Sequence, residues 1–598
     1  MLHNIPHRQK VIIMLAVMSA LFLFALDQLI ITTALGKIVE EFNSFSSLSW
    51  IITAYLLTST IATPIAGKFS DMFGRRLVLL TGITVFTIAS LFSGSAGSIE
   101  QLIFWRAVQG VGGGIITANA FAVIGDLFAP RERGRWQGVF GGVFGIASVI
   151  GPLLGGYLTE PHNIAGLVTN WRWTLWVNVP VGIIVFIIIA IFMPKIKHET
   201  KPHIDYAGAG LLSIALATVI LAADNTDKVF AGFMDATDWS LLAVRAMLLS
   251  VAAIATGLFI WTEKRSREPI LSLDFFKNRN FSLFMIISVL NGAAFLGAIL
   301  YITQFNQQVF GVSPTQAGLM IIPMVFGLVV SAAISGQIMQ RTGHYKLIMQ
   351  VGLIVASVGI FSLSFLSPTS GFTHEILIMI MTGAGLGALM PTLNLAVQNE
   401  FSQKDLGTVT AATQLFRNLG STVGVAVFGG ILTAGVAASL GNIQKIPYIE
   451  FLSQQPQSSQ SQNFDLSKAD ADTALNINTH DTKQKIDEGL SKGLAKAEEK
   501  AKAAANAQIA ASQLPDAFKT KAQLEADQKI ENQFSKVKDD FNTKQKDFNH
   551  DVKYAFSDSL RAIFYSASVL MVVAFIFALF IREKPLQHGS ADVAPGIA

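Results

Sequence analysis

Long apolar segments separated by short polar loops run along most of the chain. An apolar segment of about 18 residues or more is long enough to cross a bilayer as a helix. The pattern predicts fourteen such helices, at 11–35, 48–66, 77–97, 101–125, 136–158, 175–193, 206–223, 239–261, 281–303, 314–338, 347–367, 374–397, 407–438 and 560–581. We therefore predict an all-α membrane protein embedded in a lipid bilayer.

Lysine and arginine residues are concentrated in the loops on the N-terminal side of the predicted bundle. The short loops on the other side carry only Lys37, Arg172 and Lys228. Because positively charged loops remain in the cytoplasm, this distribution predicts a multi-pass protein of the cytoplasmic membrane with both termini inside. The polar segment 441–559, between the last two helices, is then extracellular.

The composition narrows the chemistry further. Charged residues make up only 14% of the chain, against about 25% in soluble domains. The absence of cysteine excludes disulfides, thiolate catalysis and cysteine-ligated metals. We find no phosphate-binding loop, metal-ligand cluster or nucleophile with a base, so we expect neither an enzyme nor a metal or cofactor. The basic residues lie in short loops, and nucleic acid is not an expected partner.

Two similar loops indicate an internal repeat. The segment "GKFSDMFGRR" (67–76) follows the second predicted helix, and "GQIMQRTGHY" (336–345) follows the tenth. Aligning them places helices 1–6 over helices 9–14 and leaves 7 and 8 as an inserted pair, and pseudo-symmetric halves are typical of secondary transporters. The predicted regions are 1–194 (the first half), 195–280 (the inserted pair with its linkers), 281–440 (helices 9–13), 441–559 (the insertion) and 560–598 (helix 14 and tail).

The insertion 441–559 opens with the low-complexity stretch "SQQPQSSQSQN" (453–463), which is typical of a flexible linker. Apolar residues then recur at helical spacing on both sides of Pro515, which is predicted to end the first helix: Ile486, Leu490 and Leu494, then Phe534, Phe541 and Phe548. This pattern predicts an extracellular helical hairpin, for which a binding partner is left open. The alternative is a solvated spacer with no role of its own.

Asp27 lies inside the first predicted helix, in "LFLFALDQLIITTAL" (21–35). A charge at this depth costs about 2.5–3.5 kcal/mol on insertion scales, and embedded ionisable residues are usually functional. Burial favours the protonated form of a carboxylic acid, so Asp27 is a candidate for binding and releasing protons. The alternative is a structural hydrogen bond within the helix.

Three further segments carry distinctive residues. "FWRAVQGVGGG" (104–114) places Arg106 inside the fourth helix, where an arginine faces a cavity or partner unless it extends to the interface. In "GKFSDMFGRR" the glycines permit a tight turn, and Asp71 can pair with Arg75 or with a neighbouring helix end. "GVFGGVFGIASVIGPLLGGYL" (138–158) is dense in small residues, which allow close helix packing and a kink at Pro152.

These motifs resemble those of the major facilitator superfamily, and together with the helix count they resemble its fourteen-helix drug:proton antiporters. The resemblance implies a major facilitator-type fold of two six-helix pseudo-repeats plus two inserted helices. It also implies that the loop after helix 2 acts as a latch for one facing state, with Asp71 as its key residue. The matching latch positions are Gly67, Asp71, Gly74, Arg75 and Arg76.

The other motifs carry further implications from the same resemblance. Arg106, followed by Gln109 and Gly110, matches a motif with a role in proton transfer, so that Asp27 and Arg106 are the predicted proton-coupling residues. The small-residue helix matches a motif that marks antiporters, although Ala147 stands where the family favours glycine. Its matching positions are Gly138, Gly151, Pro152, Gly155 and Gly156.

The function implied by this resemblance is proton-coupled export of hydrophobic, often cationic, small molecules by alternating access. Two alternatives stay open: a dedicated exporter of one metabolite, lipid or peptide, and a membrane scaffold that displays the 441–559 hairpin. We expect no acid well inside helices 9–12 and therefore no second anionic site. The embedded amides either face the cavity or bridge helices, and the aromatic residues either stack on a cationic substrate or anchor at the interface. Arg417 either balances a carboxylate or contacts the latch. The candidate substrate residues are Trp50, Tyr55, Gln109, Asn291, Asn394, Gln414 and Arg417.

Overall fold

The computed structural model describes residues 6–42, 48–164, 166–194, 205–223, 226–312, 314–402, 405–454, 471–478, 480–512 and 515–586. Its helices are α1 (His7–Phe42), α2 (Leu48–Phe73), α3 (Arg75–Gly94), α4 (Ile99–Leu127), α5 (Pro130–Thr159), α6 (Trp173–Trp176), α7 (Asn178–Phe192), α8 (Tyr206–Ala223), α9 (Thr226–Val229), α10 (Ala231–Thr237), α11 (Leu241–Glu263), α12 (Arg279–Phe310), α13 (Pro314–Met320), α14 (Ile322–Thr342), α15 (Lys346–Leu363), α16 (Phe372–Glu400), α17 (Leu406–Leu440), α18 (Pro447–Gln454), α19 (Ala471–Ile477), α20 (His480–Ala510) and α21 (Asp516–Leu579). A small antiparallel ribbon, β1 (Asn163–Ile164) and β2 (Leu167–Val168), follows α5 with Asn163 opposite Val168.

Fourteen helices in these described segments are long and apolar enough to cross a membrane. They confirm the predicted all-α membrane fold, in which helices satisfy their own backbone hydrogen bonds away from water. The predicted sixth helix has an extra turn, α6, before α7, and the tenth is divided between α13 and α14. The predicted fourteenth helix is the last part of α21, which runs without a break through the expected boundary at 559/560.

Each half has its own apolar core. One cluster gathers buried residues of α1, α3, α4, α5 and α7, including Phe24 and Phe121. A larger cluster gathers residues of α12, α14–α17 and α21, including Phe305. Leu216 of α8 and Phe259 of α11 belong to this second cluster. The inserted helix pair therefore packs on the core of the C-terminal half.

The two halves meet at one end of the bundle, which we call the basic end because its turns carry Arg75 and Arg341. There, Gln137 Nε2 of α5 donates to Gln398 Oε1 of α16 at 3.1 Å. Gln398 Nε2 in turn donates to the Phe121 carbonyl of α4 at 3.2 Å. All these groups are buried, so the halves are closed against each other at the basic end.

Helix α5 contacts both halves along its length, and small residues make this possible. Near the basic end it lies so close to α14 that a side chain at Gly138 would overlap the carbonyl oxygen of Ala332. Further along, a side chain at Gly151 would collide with Leu29 of α1. The predicted small-residue helix is therefore a close-packed one, and it continues unbroken through position 152.

The insertion is packed onto the bundle at its base. Tyr448 of α18, Ile477 of α19 and Phe556 of α21 are buried in the C-terminal core cluster. Asn478, just after α19, donates to Gln308 Oε1 of α12 at 2.7 Å. The base of the insertion is thus part of the C-terminal half, while residues 455–463 of the low-complexity stretch lie outside the described residues.

Beyond this base, α20 and α21 pack side by side in opposite directions. Gln545 donates to Asp487 at 2.7 Å, and Asn506 donates to Asp527 at 3.4 Å farther from the bundle. The first helix ends at Ala510, before the predicted stop at Pro515, because several residues are needed to reverse the chain. The location of this hairpin outside the cell stays a prediction.

Replacing Gly138 by valine is expected to open the basic end, because the new side chain would overlap Ala332 and separate α5 from α14. The chain has no cysteine, so the pair Gln137→Cys and Gln398→Cys can be cross-linked cleanly by a short bifunctional thiol reagent. We expect efficient cross-linking in this background and a strong loss when Gly138→Val is added.

Gly257→Val is the matched control, because a Cβ at Gly257 in α11 would meet nothing within 4 Å. It should leave cross-linking unchanged. Cross-linking that is equally efficient with Gly138→Val would show that this glycine does not permit the closure.

Candidate functional site

Asp27 lies in the interior of the N-terminal half and is completely buried. Its Oδ2 is 2.5 Å from Arg106 Nη1 of α4, and the two side chains are 0% and 1% exposed. Arg106 also donates from Nε to the Ile51 carbonyl at 3.3 Å and from Nη1 to Gln109 Oε1 at 2.8 Å. The two charged residues predicted to couple protons are therefore direct partners.

Three neutral side chains complete this arrangement, which we call the Asp27 site (Asp27, Ser90, Arg106, Gln109 and Asn178). Asp27 Oδ1 accepts from Gln109 Nε2 at 2.9 Å and from Asn178 Nδ2 of α7 at 2.8 Å. Gln109 Nε2 also donates to Ser90 Oγ of α3 at 2.6 Å. A buried charge is tolerated only when it is paired and hydrogen-bonded, and both carboxylate oxygens meet that condition.

The ring of Tyr55 packs against the guanidinium of Arg106. The Arg106 Cζ lies 4.3 Å from the centre of the Tyr55 ring, and this ring stacks on Phe24 at 5.9 Å. The Tyr55 hydroxyl donates to the Phe24 carbonyl at 3.4 Å. Desolvated cation–π contacts are worth about 2 kcal/mol. Tyr55, which is 1% exposed, therefore stabilises the guanidinium and is not free in this conformation to stack on a substrate.

This geometry links protonation to helix contacts. Ionised Asp27 holds α1 to α4 through the ion pair and to α7 through Asn178. Protonation removes the charge that neutralises Arg106, and an unneutralised charge in an apolar interior is costly. The charge of Asp27 therefore contributes to the contacts of α1 with α4 and α7.

Asp71 joins the two halves at the basic end. Its carboxylate accepts from the backbone N–H of Gly407 at 3.1 Å and of Thr408 at 2.8 Å, and from the Thr408 hydroxyl at 2.9 Å. These groups form the first turn of α17, where unpaired N–H groups and the helix dipole favour an anion. Asp71 of the N-terminal half thus caps a helix of the C-terminal half.

Arg75 holds Asp71 in place. Its guanidinium lies 2.5 Å from Asp71 and 2.7 Å from Asp126, at the end of α4. Gly74, the single residue between α2 and α3, has a φ of 89°, a backbone conformation that glycine adopts without strain. This turn brings Arg75 back over Asp71. Two of the predicted latch residues, Asp71 and Arg75, thus form one network with Asp126.

The other latch positions act through space and packing. A side chain at Gly67 would overlap Ala411 of α17, so glycine permits the contact between α2 and α17. Arg76 points elsewhere and donates to the Ala190 carbonyl at the end of α7. It is therefore not part of the contact between the halves.

The remaining candidates fall into two groups. Gln414 donates to Asn394 at 3.3 Å, and both are buried, so this pair bridges α17 and α16. Asn291 of α12 is buried, and within the described segments its Oδ1 has no hydrogen-bond partner. Arg417 and Trp50 are only half-buried. None of these residues belongs to the Asp27 site, whereas Gln109 does.

Three functional candidates escaped the sequence reasoning. Asn178, a polar residue that opens the strongly apolar α7, offered a signal that was not used, whereas Ser90 offered none. Glu375, in the first turn of α16, is fully buried beside Asn306 of α12. Glu375 lies at the end of α16, so the expectation of no acid well inside helices 9–12 is not contradicted and stays a prediction.

A model of the Major Facilitator Superfamily matches residues 17–425, which include the whole Asp27 site and both latch partners. The chain belongs to the Major Facilitator Superfamily. This superfamily protein is 35% identical over 451 residues to the multidrug transporter protein MdtP of Bacillus subtilis (strain 168), covering 75% of this chain and 80% of that protein. It is 33% identical over 422 residues to multidrug resistance protein 3 of the same organism, covering 70% and 79%.

The solved structure of the proton:xylose symporter XylE matches with a TM-score of 0.53 at 14% identity, covering 72% of this chain and 90% of that one. This likeness supports the major facilitator fold alone. The superfamily match ends before the insertion and α21. Family, fold and fourteen apolar helices together identify a multi-pass membrane transporter.

Arg106→Gln is expected to lower the free energy of unfolding by about 3–5 kcal/mol, because it leaves Asp27 buried without its charged partner. The double variant Asp27→Asn/Arg106→Gln removes both charges and should recover most of that loss. Unfolding of the purified protein in detergent measures both values.

Lys277→Gln serves as the control, because its ion pair with Asp274 is 81% and 76% exposed and should contribute less than about 1 kcal/mol. A double variant as unstable as Arg106→Gln alone would mean that the two charges do not stabilise each other.

Proposed function

We propose that the protein exports hydrophobic, often cationic, small molecules across the cytoplasmic membrane in exchange for protons. The observation that carries this proposal is the buried ion pair of Asp27 and Arg106 inside one half of a two-half transporter fold. The names of two relatives, a multidrug transporter and a multidrug resistance protein, support drug export as the activity. Protons are the proposed coupling ion because a proton can cancel the charge of the buried Asp27 carboxylate.

The basic end faces the cytoplasm in this proposal, in agreement with the distribution of lysine and arginine. The closed contacts of Asp71 with α17 and of Gln137 with Gln398 then belong to an outward-facing state. A proton that reaches Asp27 from outside weakens its hold on Arg106, and substrate is released. The Asp71 contact then breaks and the cytoplasmic side opens.

The energetics of this exchange are sufficient for drug export. The membrane potential supplies about 2.3 kcal/mol per charge per 100 mV. Since about 1.4 kcal/mol corresponds to a tenfold ratio, one proton exchanged for a neutral compound sustains a gradient of about 50-fold at that potential. Exchange of one proton for a monocation moves no net charge and is driven by the pH gradient. A single proton site of the kind that Asp27 provides is therefore enough.

Two other functions are weighed against this one. A dedicated exporter of a single metabolite, lipid or peptide would use the same proton site but accept a narrow range of substrates. A scaffold that only displays the α20–α21 hairpin would not need the buried pair of Asp27 and Arg106. The base of the insertion is buried in the C-terminal core, which favours a structural part of the transporter over a separate display module.

Asp27→Asn is expected to abolish dye uptake driven by a pH gradient, because it removes the group that carries the proton while keeping the side-chain shape. Purified protein in liposomes with an acidic lumen is supplied with rhodamine 123, a lipophilic cation, and accumulation against the dye gradient is followed by fluorescence. We expect accumulation with the unmodified protein and none with Asp27→Asn.

Asp558→Asn is the matched control, because Asp558 is exposed and, among the described residues, forms its ion pair with the exposed Arg561 at 3.1 Å. It should transport as the unmodified protein does. Equal transport by Asp27→Asn would exclude Asp27 as the coupling group. Failure of the unmodified protein with a broad panel of dyes would instead favour a dedicated exporter.

A further inference from the structure

Arg417 is a cation inside the membrane-spanning bundle that the ion pairs described so far do not neutralise. In the described part of the chain, neither a hydrogen bond nor an ion pair reaches its guanidinium. Arg106 and Arg75, in contrast, are each matched to carboxylates. An embedded arginine without a partner is unusual, because such residues are costly and normally serve a cavity or a partner.

The position of Arg417 on α17 directs it toward the protein interior. Residues three, seven or eleven positions apart lie on one face of a helix, because a turn takes about 3.6 residues. Gln414, Gly424 and Phe428, which lie on this face, are buried. The Arg417 backbone also touches α12, since a side chain at Gly292 would overlap the Arg417 carbonyl oxygen. This face of α17 therefore packs toward α12, and the Arg417 side chain is half-buried.

Its depth places Arg417 near the middle of the bilayer. It lies eleven residues from Leu406, where α17 begins at the basic end, which is about 17 Å of helix rise. The hydrocarbon core is about 30 Å thick. Neither headgroup region is within easy reach, so phospholipid phosphates do not neutralise this charge.

Two amide oxygens near Arg417 lack hydrogen-bond partners in the described part of the chain. Gln414 lies one turn before it on α17, and Asn291 lies next to Gly292 on α12. Within the described segments, Gln414 Oε1 and Asn291 Oδ1 are buried without a hydrogen bond. An amide can present either its oxygen or its NH₂ group by rotating about its terminal bond. The surroundings of Arg417 therefore contain polar atoms whose hydrogen-bonding capacity is not used.

Two buried acids, Asp27 and Glu375, could in principle neutralise Arg417, but neither does. Asp27 is already occupied by Arg106, Gln109 and Asn178. Glu375 is far away along α16. The Gln414–Asn394 hydrogen bond sets the antiparallel register of α16 and α17, so Arg417 lies level with Pro391. Glu375 precedes Pro391 by sixteen residues, about 24 Å of helix rise.

We propose that Arg417 binds the anionic group of the transported compound, so that carboxylate-bearing amphiphiles, and zwitterions in particular, are better substrates than equally apolar monocations. This inference rests on the proposed export function and refines its substrate class. The cationic part of a zwitterion is directed to Asp27 once the hold of Arg106 is released. Its carboxylate is directed to Arg417, with Asn291 as a neutral donor once its amide has rotated.

The preference follows from desolvation. Water hydrates the Arg417 guanidinium until an apolar compound displaces it, and a charge left without water or partner is costly. A carboxylate replaces the lost interaction with a charge-assisted hydrogen bond, which is about twice as strong as a neutral one. A monocation of the same size offers no such group and is repelled by the like charge.

Rhodamine 110 and rhodamine 123 provide a matched pair of probes, because the second is the methyl ester of the first and lacks its carboxylate. Binding of each dye to purified full-length protein in detergent is measured by fluorescence anisotropy. We expect rhodamine 110 to bind about tenfold more tightly than rhodamine 123, which corresponds to one charge-assisted contact.

Arg417→Gln should reduce this ratio of the two dissociation constants to about one, because the charge-assisted contact is lost. Arg417→Lys should keep part of the preference, since it retains the charge but not the planar fork. Arg245→Gln, in α11 of the inserted pair, where the guanidinium donates to Thr226 Oγ1 at 3.4 Å, is the matched control and should leave the ratio unchanged. Thermal unfolding of each variant shows that it is folded.

An unchanged ratio in folded Arg417→Gln, or a tighter fit of rhodamine 123 than of rhodamine 110 to the unmodified protein, would overturn the proposal. Absence of rhodamine 110 binding would overturn it as well. Failure of the export function shows differently, as binding of both dyes without uptake driven by a pH gradient in liposomes. The binding ratio therefore tests Arg417 separately from transport.

Discussion

The buried ion pair of Asp27 and Arg106 is the constraint on which the N-terminal half depends. Two charges in an apolar interior are stable only if their geometry is good and their remaining hydrogen-bonding capacity is satisfied. Five helices supply those partners. They are α1 through Asp27, α2 through Tyr55 and the Ile51 carbonyl, α3 through Ser90, α4 through Arg106 and Gln109, and α7 through Asn178. A change in the charge of Asp27 is therefore felt by all five.

Helix α4 connects this pair to the contact between the halves. Arg106 lies near one end of α4 and Asp126 near the other, twenty residues apart, which is about 30 Å of helix rise. Asp126 binds Arg75, and Arg75 holds Asp71 on the first turn of α17. The Asp27 site and the closure at the basic end thus share one rigid element. This arrangement gives a physical route by which protonation of Asp27 loosens the grip of the N-terminal half on the C-terminal half.

Much of this fold was predictable because membrane-spanning helices are recognisable in a sequence by their length and hydropathy. The role of segment 67–76 was also predictable. The tight turn requires glycine at position 74, and the helix end requires an acid such as Asp71. Asn178 and Ser90 could not be assigned to Asp27 in the same way, since their role depends on which helices meet in space. Tyr55 was a candidate substrate contact because it is aromatic, yet its ring packs against the guanidinium of Arg106. The continuity of α21 escaped prediction because the polarity of its sequence changes at the membrane surface while its helical backbone does not.

If substrate and proton compete for Asp27, binding of a dye must displace a proton from the protein. Rhodamine 110 is added to the purified protein in weakly buffered detergent solution, and a pH indicator follows the protons released per dye bound. We expect release of about one proton per dye from the unmodified protein and none from Asp27→Asn. Dye binding without proton release at any pH between about 5 and 9, or equal release from Asp27→Asn, would contradict this competition.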